Sequence, residues 1–286
     1  MTRFVTRFAP SPTGYLHLGH AFSAITAFNA AQQADGDFLL RIEDIDQTRC
    51  RPEFETAVYE DLAWLGLQWK TPVRRQSDHF ADYEAALDRL RAKGVVYRCF
   101  KTRKEILDEI ARAPHLSPDG PEGPQYFGAP LAAYEEHSLL AKGAPYAWRL
   151  SIGAAKNLLG ETYDLLSFTE QVENGEHRDV KATPEIFGDA VIGRKDSATS
   201  YHLASVHDDA LQGVTHVIRG EDLFHAAHLH RLLQALLDFP PPIYRHHRLL
   251  TDEQGKRFAK RDKSKTLQAL RRSGATPEAI REELGV

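Results

Sequence analysis

RFAPSPTGYLHLGH, residues Arg7 to His20, decides how the rest of the chain is read. A short apolar strand, Phe4 to Phe8, runs into Pro10, Ser11, Pro12, Thr13 and Gly14, which cannot continue it. A helical pattern then begins, with Leu18, Phe22, Ile25 and Phe28 on one face. A strand, a tight turn and a helix start together present backbone N–H groups and a positive dipole end to an anion. His17 and His20 are three residues apart and share one side of the first turn. Gly19 between them leaves room for a ligand to approach the backbone. The stretch reads as a phosphate site with two imidazole donors. The plainer alternative is that both histidines are polar caps at a helix start.

Outward from this stretch, Phe38 to Ile42 is a second strand, almost continuously apolar as in a sheet covered on both faces. It ends at Glu43, Asp44 and Asp46, where open α/β sheets bind ligands. Pro52 opens a helix with Phe54, Ala57, Val58, Leu62 and Leu65 inward and Gly66 as its stop. Another carries Phe80, Tyr83, Leu87 and Leu90 and stops at Gly94. This alternation predicts a doubly wound parallel sheet. From Tyr97 the character changes: residues 114–130 are rich in Pro and Gly, and strands are expected at Tyr146 to Ile152 and around Ser167 to Val172. Residues 97–185 therefore read as an α+β insertion between two halves of the sheet. Regular character returns at Asp189 to Ile192, Ser200 to Val206 and Val214 to Ile218. A helix with Ala227, Leu229, Leu232, Leu233 and Leu236 follows and ends before Pro240. His225, His228 and His230 are expected on its polar side and not as metal ligands. Thr251 to Lys265 is a basic, exposed loop. Ser264 is the expected cap of the next helix, and Thr276 and Pro277 start the last one. The expected division is a core half over 1–96, the insertion over 97–185, the second half over 186–248, and a loop with short helices over 249–286.

A chain of 286 residues with 42% hydrophobic and 27% charged residues has ample core for one large domain or two modest ones. No apolar run reaches membrane-span length and no signal peptide is evident, so a cytoplasmic protein is expected. Two cysteines, Cys50 and Cys99, exclude a disulfide framework and a four-cysteine zinc site. The net charge of −4 argues against bulk attraction to nucleic acid. Basic residues nevertheless cluster at Arg98, Lys101, Arg103 and Lys104, and again from Lys256 to Lys265.

These residues resemble class I aminoacyl-tRNA synthetases of the glutamyl group over nearly the whole chain. RFAPSPTGYLHLGH is similar to the group's opening motif, with HLGH as its His-x-Gly-His signature. RIEDIDQTR (Arg41 to Arg49), SYHLA (Ser200 to Ala204) and VIRGEDL (Val217 to Leu223) match further motifs. RFAKR (Arg257 to Arg261) stands where the family has a KMSKS-type loop. Five motifs in the right order are far more specific than any one alone. The implied fold is a Rossmann-type doubly wound parallel sheet split by an RNA-stem-binding insertion, with a short helical C-terminal segment.

The resemblance implies ATP-dependent activation of L-glutamate to glutamyl-adenylate. Activation builds charge on the α-phosphate, so catalysis is mainly positioning and charge stabilisation. By resemblance His17, Gly19, His20 and Lys260 bind ATP, with His17, His20 and Lys260 catalytic and Mg²⁺ bridging phosphates. Arg7, Arg219 and Tyr201 would take the glutamate side-chain carboxylate; Glu43 and Ser11 its ammonium; Ala9 belongs to the same pocket. Two departures stand out: Arg257 and Ala259 replace the leading lysine and the middle serine of the loop motif. Relatives often carry a zinc site in the insertion, whereas here Cys99 is nearly alone and Lys101 stands where the resemblance implies another cysteine, so no zinc is expected.

A full-length synthetase of the group continues into an anticodon-binding region, and this sequence ends at Val286. The resemblance therefore narrows to the truncated branch, which activates glutamate without tRNA and attaches it to the queuosine base in the anticodon loop of tRNA(Asp). The implied partners are L-glutamate, ATP and the tRNA(Asp) anticodon stem-loop, with no membrane; a monomer is expected. Three alternatives stay open: a minimal synthetase charging a tRNA 3′ end, a small-molecule nucleotidylyltransferase, and an inactive paralogue that binds RNA.

Overall fold

A computed structural model describes residues 3–112, 118–172, 175–195, 199–250 and 266–286. Strand β1 (Val5–Phe8) is buried from Thr6 to Phe8, as a central strand must be. Helix α1 (Leu18–Gln33) returns the chain to β2 (Asp37–Ile42), which pairs parallel to β1 with Arg7 opposite Leu39. Helix α2 (Pro52–Trp64) has Pro at its start and Glu53 and Glu55 in its first turn, both favourable at the positive dipole end. Strand β3 (Lys70–Arg75) then adds to β2 in parallel. It was not expected from the sequence: KTPVRR is basic, its first half is exposed, and it forms a sheet edge. Helix α3 (Phe80–Ala92) follows.

The second half of the sheet is built from β8 (Ser167–Gln171), β9 (His177–Lys181), β11 (His216–Gly220) and β12 (Ile243–His247), in the order β11-β12-β8-β9. The pairs β11–β12 and β12–β8 are parallel, and β9 closes the edge antiparallel. Helix α8 (Tyr201–Leu211) leads into β11, and α9 (Ala226–Leu237) crosses from β11 to β12. The two halves meet where β1 and β11 run side by side. Thr215 N–H donates to Val5 O at 2.9 Å, and Val5 N–H donates to Thr215 Oγ1 at 2.9 Å. Among the described residues no ladder continues this tie toward the strands' C-terminal ends. Strand order thus reverses between β1 and β11, which is where open α/β sheets leave a crevice.

A separate antiparallel sheet has the order β10-β7-β4, with β4 (Val96–Cys99), β7 (Ala147–Leu150) and β10 (Val191–Gly193). Pairing crosses the boundaries expected from the sequence. β10, expected with the second core half, joins β7; β8, expected within the insertion, joins β12. The buried Asp189 explains the first case. Its carboxylate accepts from Tyr97 Oη, Gly128 N and Ile152 N, each at 2.9 Å, tying this segment to the inserted sheet. The chain between β4 and β8 also holds helices α4 (Arg103–Arg112), α5 (Ala133–Ala141), α6 (Ile152–Leu159) and α7 (Glu161–Asp164) and the short antiparallel pair β5 (Asp119–Gly120) and β6 (Gly123–Pro124). Cys99 packs with Tyr97 and Ile106 in a small core. Lys101 forms an ion pair with Glu109 and lies 5.6 Å from the Tyr126 ring centroid.

The last helices, α10 (Leu267–Arg272) and α11 (Pro277–Leu284), send Leu267, Ile280 and Leu284 into the core shared by α1, β1, β2 and α2. Thr266 caps α10, its Oγ1 accepting from Ala269 N at 3.2 Å; the expected cap, Ser264, lies outside the described residues. Leu267 N–H donates to Leu16 O at 2.8 Å, just before His17. Thr266→Ala is expected to lower the unfolding free energy by about 1 kcal/mol through loss of the cap. Urea titration checks this, and a midpoint equal to wild type would refute it.

Candidate active site

At the C-terminal ends of β1 and β11 lies a cavity of about 680 Å³. Its walls include Arg7, Ala9, Ser11, His17, Gly19, His20, Glu43, Tyr201 and Arg219. The structure therefore brings together the site residues expected from the sequence, apart from Lys260. Lys260, with Arg257 and Ala259, lies outside the described residues. The described residues on either side of that segment stand at the cavity: Leu249 and Leu250 line it, and Thr266 bridges to His17.

His17 and His20 cap α1, so the plainer reading is true, and it also serves the chemical one. His17 Nδ1 accepts from Gly19 N at 3.1 Å, and His20 Nδ1 accepts from His17 N at 3.2 Å. A neutral imidazole that accepts at Nδ1 carries its proton on Nε2. Capping thus sets the tautomer of both rings, whose centroids are 3.8 Å apart, and makes each Nε2 a donor. A Cβ at Gly19 would meet His17 Cε1 at 3.0 Å, so any larger residue here would press on the His17 ring that caps the helix.

Arg7 points from β1 into a buried ionic network. Its Nε donates to Asp209 Oδ1 at 2.9 Å and its Nη2 to Oδ2 at 3.4 Å. The wholly buried Arg41 donates from Nη1 to the same Oδ1 at 2.8 Å and to Gln212 Oε1 at 3.1 Å. Its Nη2 donates to Glu43 Oε1 at 3.0 Å. Burial opposes the charge on Asp209, but Arg7 and Arg41 hold its carboxyl below the usual range. For Glu43 burial wins and raises the carboxyl, with Arg41 and Arg7 pulling the other way. The neighbouring Asp208 faces a different side of α8, as adjacent helical residues do. It accepts from Arg74 Nε at 2.8 Å, Gln76 Nε2 at 3.0 Å and Tyr83 Oη at 2.8 Å.

Arg219, on β11, is held by different chemistry. Its Nε donates to His246 Nε2 at 3.1 Å, its Nη1 to Tyr201 Oη at 3.4 Å and its Nη2 to Leu223 O at 2.9 Å. The guanidinium carbon lies 5.2 Å from the Tyr244 ring centroid. Behind it, His246 Nδ1 meets the buried Glu170 carboxylate at 2.9 Å. Burial lowers the His246 pKa, Glu170 opposes that, and Arg219 adds to it.

Arg41, Asp209, His246 and Glu170 were not singled out from the sequence. Two of them left a signal. Arg41 interrupts the apolar run FLLRI, and Glu170 shares the inward register of Phe168. The histidines of α9 require a correction. His228 and His230 are buried and not on a polar side, because α9 is enclosed on nearly every face. His228 Nδ1 accepts from Thr183 N at 3.0 Å, and His230 Nε2 meets His202 Nδ1 at 3.1 Å. Among the described residues no group of three or more metal-ligating side chains converges. No described helix is long and apolar enough to cross a membrane.

Residues 3–286 match the family model described as the catalytic domain of class I tRNA synthetases (E and Q). The chain is 46% identical over 290 residues to a glutamyl-Q tRNA(Asp) synthetase of Rhodobacter capsulatus, covering 99% of this chain and 100% of that one. It is 35% identical to glutamate–tRNA ligase 1 of Paracoccus denitrificans, covering 96% of this chain and 59% of that protein. The crystal structure of glutamate-tRNA synthetase from Elizabethkingia anophelis superposes with a TM-score of 0.73 at 26% identity, over 91% of this chain and 53% of that one. With residues 3–286 matched by that model and nearly its whole length by these relatives, the chain belongs to the class I glutamyl/glutaminyl-tRNA synthetase family, as its catalytic domain.

Proposed function

We propose that this protein activates L-glutamate with ATP and transfers the glutamyl group to the queuosine base in the anticodon loop of tRNA(Asp). What carries the reading is one cavity lined both by guanidinium and phenol groups and by two imidazole Nε2–H donors at a helix start. The similarity to the Rhodobacter capsulatus protein, over the whole of both chains, favours the base as acceptor.

In the first step the α-carboxylate oxygen attacks the α-phosphorus, and pyrophosphate leaves with the broken P–O bond. His17 and His20 donate to the α-phosphate oxygens as charge gathers there, and the α1 N-terminus adds its N–H groups. Mg²⁺ arriving with ATP would supply charge compensation at the phosphates and would need few ligands from the protein. Lys260 is assigned to the triphosphate. Arg219 and Arg7 read the side-chain carboxylate with Tyr201, while Glu43 and Ser11 hold the ammonium beside Ala9. An arriving ammonium favours the ionised form of Glu43, whose burial works against it. In the second step the acceptor group attacks the activated carbonyl and AMP leaves. The inserted subdomain, here the β10-β7-β4 sheet with α4 and α5, grips the anticodon stem mainly through phosphates. Arg98 and Lys101 pair with Glu136 and Glu109, so the exposed Arg103 and Lys104 at the start of α4 are the stronger candidates for those contacts.

Glutamate-dependent ATP–pyrophosphate exchange is expected without tRNA. Labelled glutamate is expected to pass to queuosine-containing tRNA(Asp) from which the 3′-terminal adenosine has been removed. It is not expected to pass to tRNA(Asp) lacking queuosine. Transfer that needs the terminal adenosine would replace this reading with 3′-end charging, and absence of exchange would defeat glutamate activation altogether.

A further inference from the structure

Arg7 and Arg219 face one cavity, but their charges are compensated differently. Arg7 pairs with Asp209, which Arg41 shares. Arg219 forms no ion pair among the described residues; its three acceptors, His246 Nε2, Tyr201 Oη and Leu223 O, are neutral. A buried carboxylate nevertheless stands one side chain away. Glu170, on β8, accepts from His246 N at 3.0 Å and meets His246 Nδ1 at 2.9 and 3.1 Å. The imidazole thus separates the cation from an anion that would otherwise pair with it.

We propose that His246 is a positioning residue for acidic amino acids: it fixes Arg219 through Nε and screens it from Glu170. The guanidinium then meets a substrate carboxylate with its charge uncompensated. This rests on the glutamate-activation reading above. The assignment follows from the two ring nitrogens. Arg219 Nε–H can only donate, so His246 Nε2 accepts; the Glu170 carboxylate can only accept, so Nδ1–H donates. One neutral tautomer satisfies both neighbours and leaves the Nη side of Arg219 to Tyr201 and the cavity. Without the ring, Arg219 is expected to swing onto Glu170 and form a buried ion pair. A substrate carboxylate would then have to compete with a covalently tethered one. With Arg219 neutralised by Glu170, a substrate carboxylate also loses its charge advantage over a neutral side chain, so the screen bears on selection as well as on affinity.

The test is ATP–pyrophosphate exchange with glutamate varied. His246→Ala is expected to raise KM for glutamate by about tenfold or more, with kcat within about threefold and KM for ATP unchanged. In His246→Ala/Glu170→Gln the competing charge is gone, and KM is expected to return to within about threefold of wild type. A merely structural role predicts no such rescue. If His246→Ala has no cooperative unfolding transition, His246→Met is read with and without Glu170→Gln in the same way. His246→Gln, which can accept from Arg219 and donate to Glu170, is expected to keep KM near wild type. An unchanged KM in the Ala or Met variant, or a raised KM that Glu170→Gln fails to lower, overturns the proposal. Absence of glutamate-dependent exchange in the wild type overturns the underlying reading as well, so the two failures are distinct.

Discussion

Arg219→Met is expected to lower kcat/KM for glutamate in ATP–pyrophosphate exchange by about 10³-fold or more. Methionine keeps an unbranched, apolar stem but removes the guanidinium that lies against the Tyr244 ring and the fork that meets the carboxylate. It also strips donors from His246 Nε2, Tyr201 Oη and Leu223 O. Leaving such buried groups unpaired costs about 1–3 kcal/mol each, so exchange must be measured below the variant's own melting point. Arg219→Lys keeps the charge without the planar fork and is expected to fall between the two. Discrimination between glutamate and glutamine should narrow in parallel, because the feature lost is the one that recognises a negative oxygen pair. A kcat/KM within about tenfold of wild type in the Met variant would mean the side-chain carboxylate is read elsewhere.

Arg41→Met should give the largest loss of stability. The guanidinium is wholly buried, and three carboxylates, Asp209, Glu43 and Asp208, hold its proton more firmly than usual against the opposing cost of burial. Removing one partner from such a network leaves buried charge uncompensated, at a cost of about 3–5 kcal/mol. For a chain of this size that is a fall in Tm of about 10 °C. The pH dependence gives an independent check. The Glu43 carboxyl titrates above its ordinary value in the folded chain. The folded state therefore holds that proton more tightly than the unfolded state, and stability falls as pH rises through the interval between the two values. Without Arg41 the interval widens upward, and Asp209 loses part of what holds its carboxyl down. The stability gap between wild type and variant should therefore be wider at pH 8 than at pH 5. A gap that is independent of pH, or widest at pH 5, would show that the network's charges are not what Arg41 serves.

The parts of the fold that could be read in advance are those where one short stretch carries its own signal. β1, α1 and β2 are dense apolar runs closed by turn residues, and α2 and α3 end at Gly66 and Gly94, both with positive φ. β3 escaped because an edge strand with an exposed first half needs no apolar alternation. α5 escaped because none of its residues is buried. The site divides along the same line. His17, Gly19 and His20 lie within one turn, and Glu43 ends a strand, so local pattern and resemblance reach them. Arg41 meets Asp209 across 168 positions and His246 meets Glu170 across 76, and a distance of that kind leaves no mark on either stretch by itself. The α9 histidines show the opposite error. Polar residues at helical spacing suggest a solvent-facing side, whereas this helix is enclosed and satisfies its imidazoles internally.

The hydrogen bond from Leu267 to Leu16 gives the final helices a purpose beyond filling core. The turn that orients both imidazoles is braced from behind by residues more than two hundred positions later, through a backbone contact independent of side-chain identity. A lesion in the final helices that never reaches the crevice can therefore silence the enzyme by letting that turn relax. Damage there would look like a chemical defect while being a mechanical one.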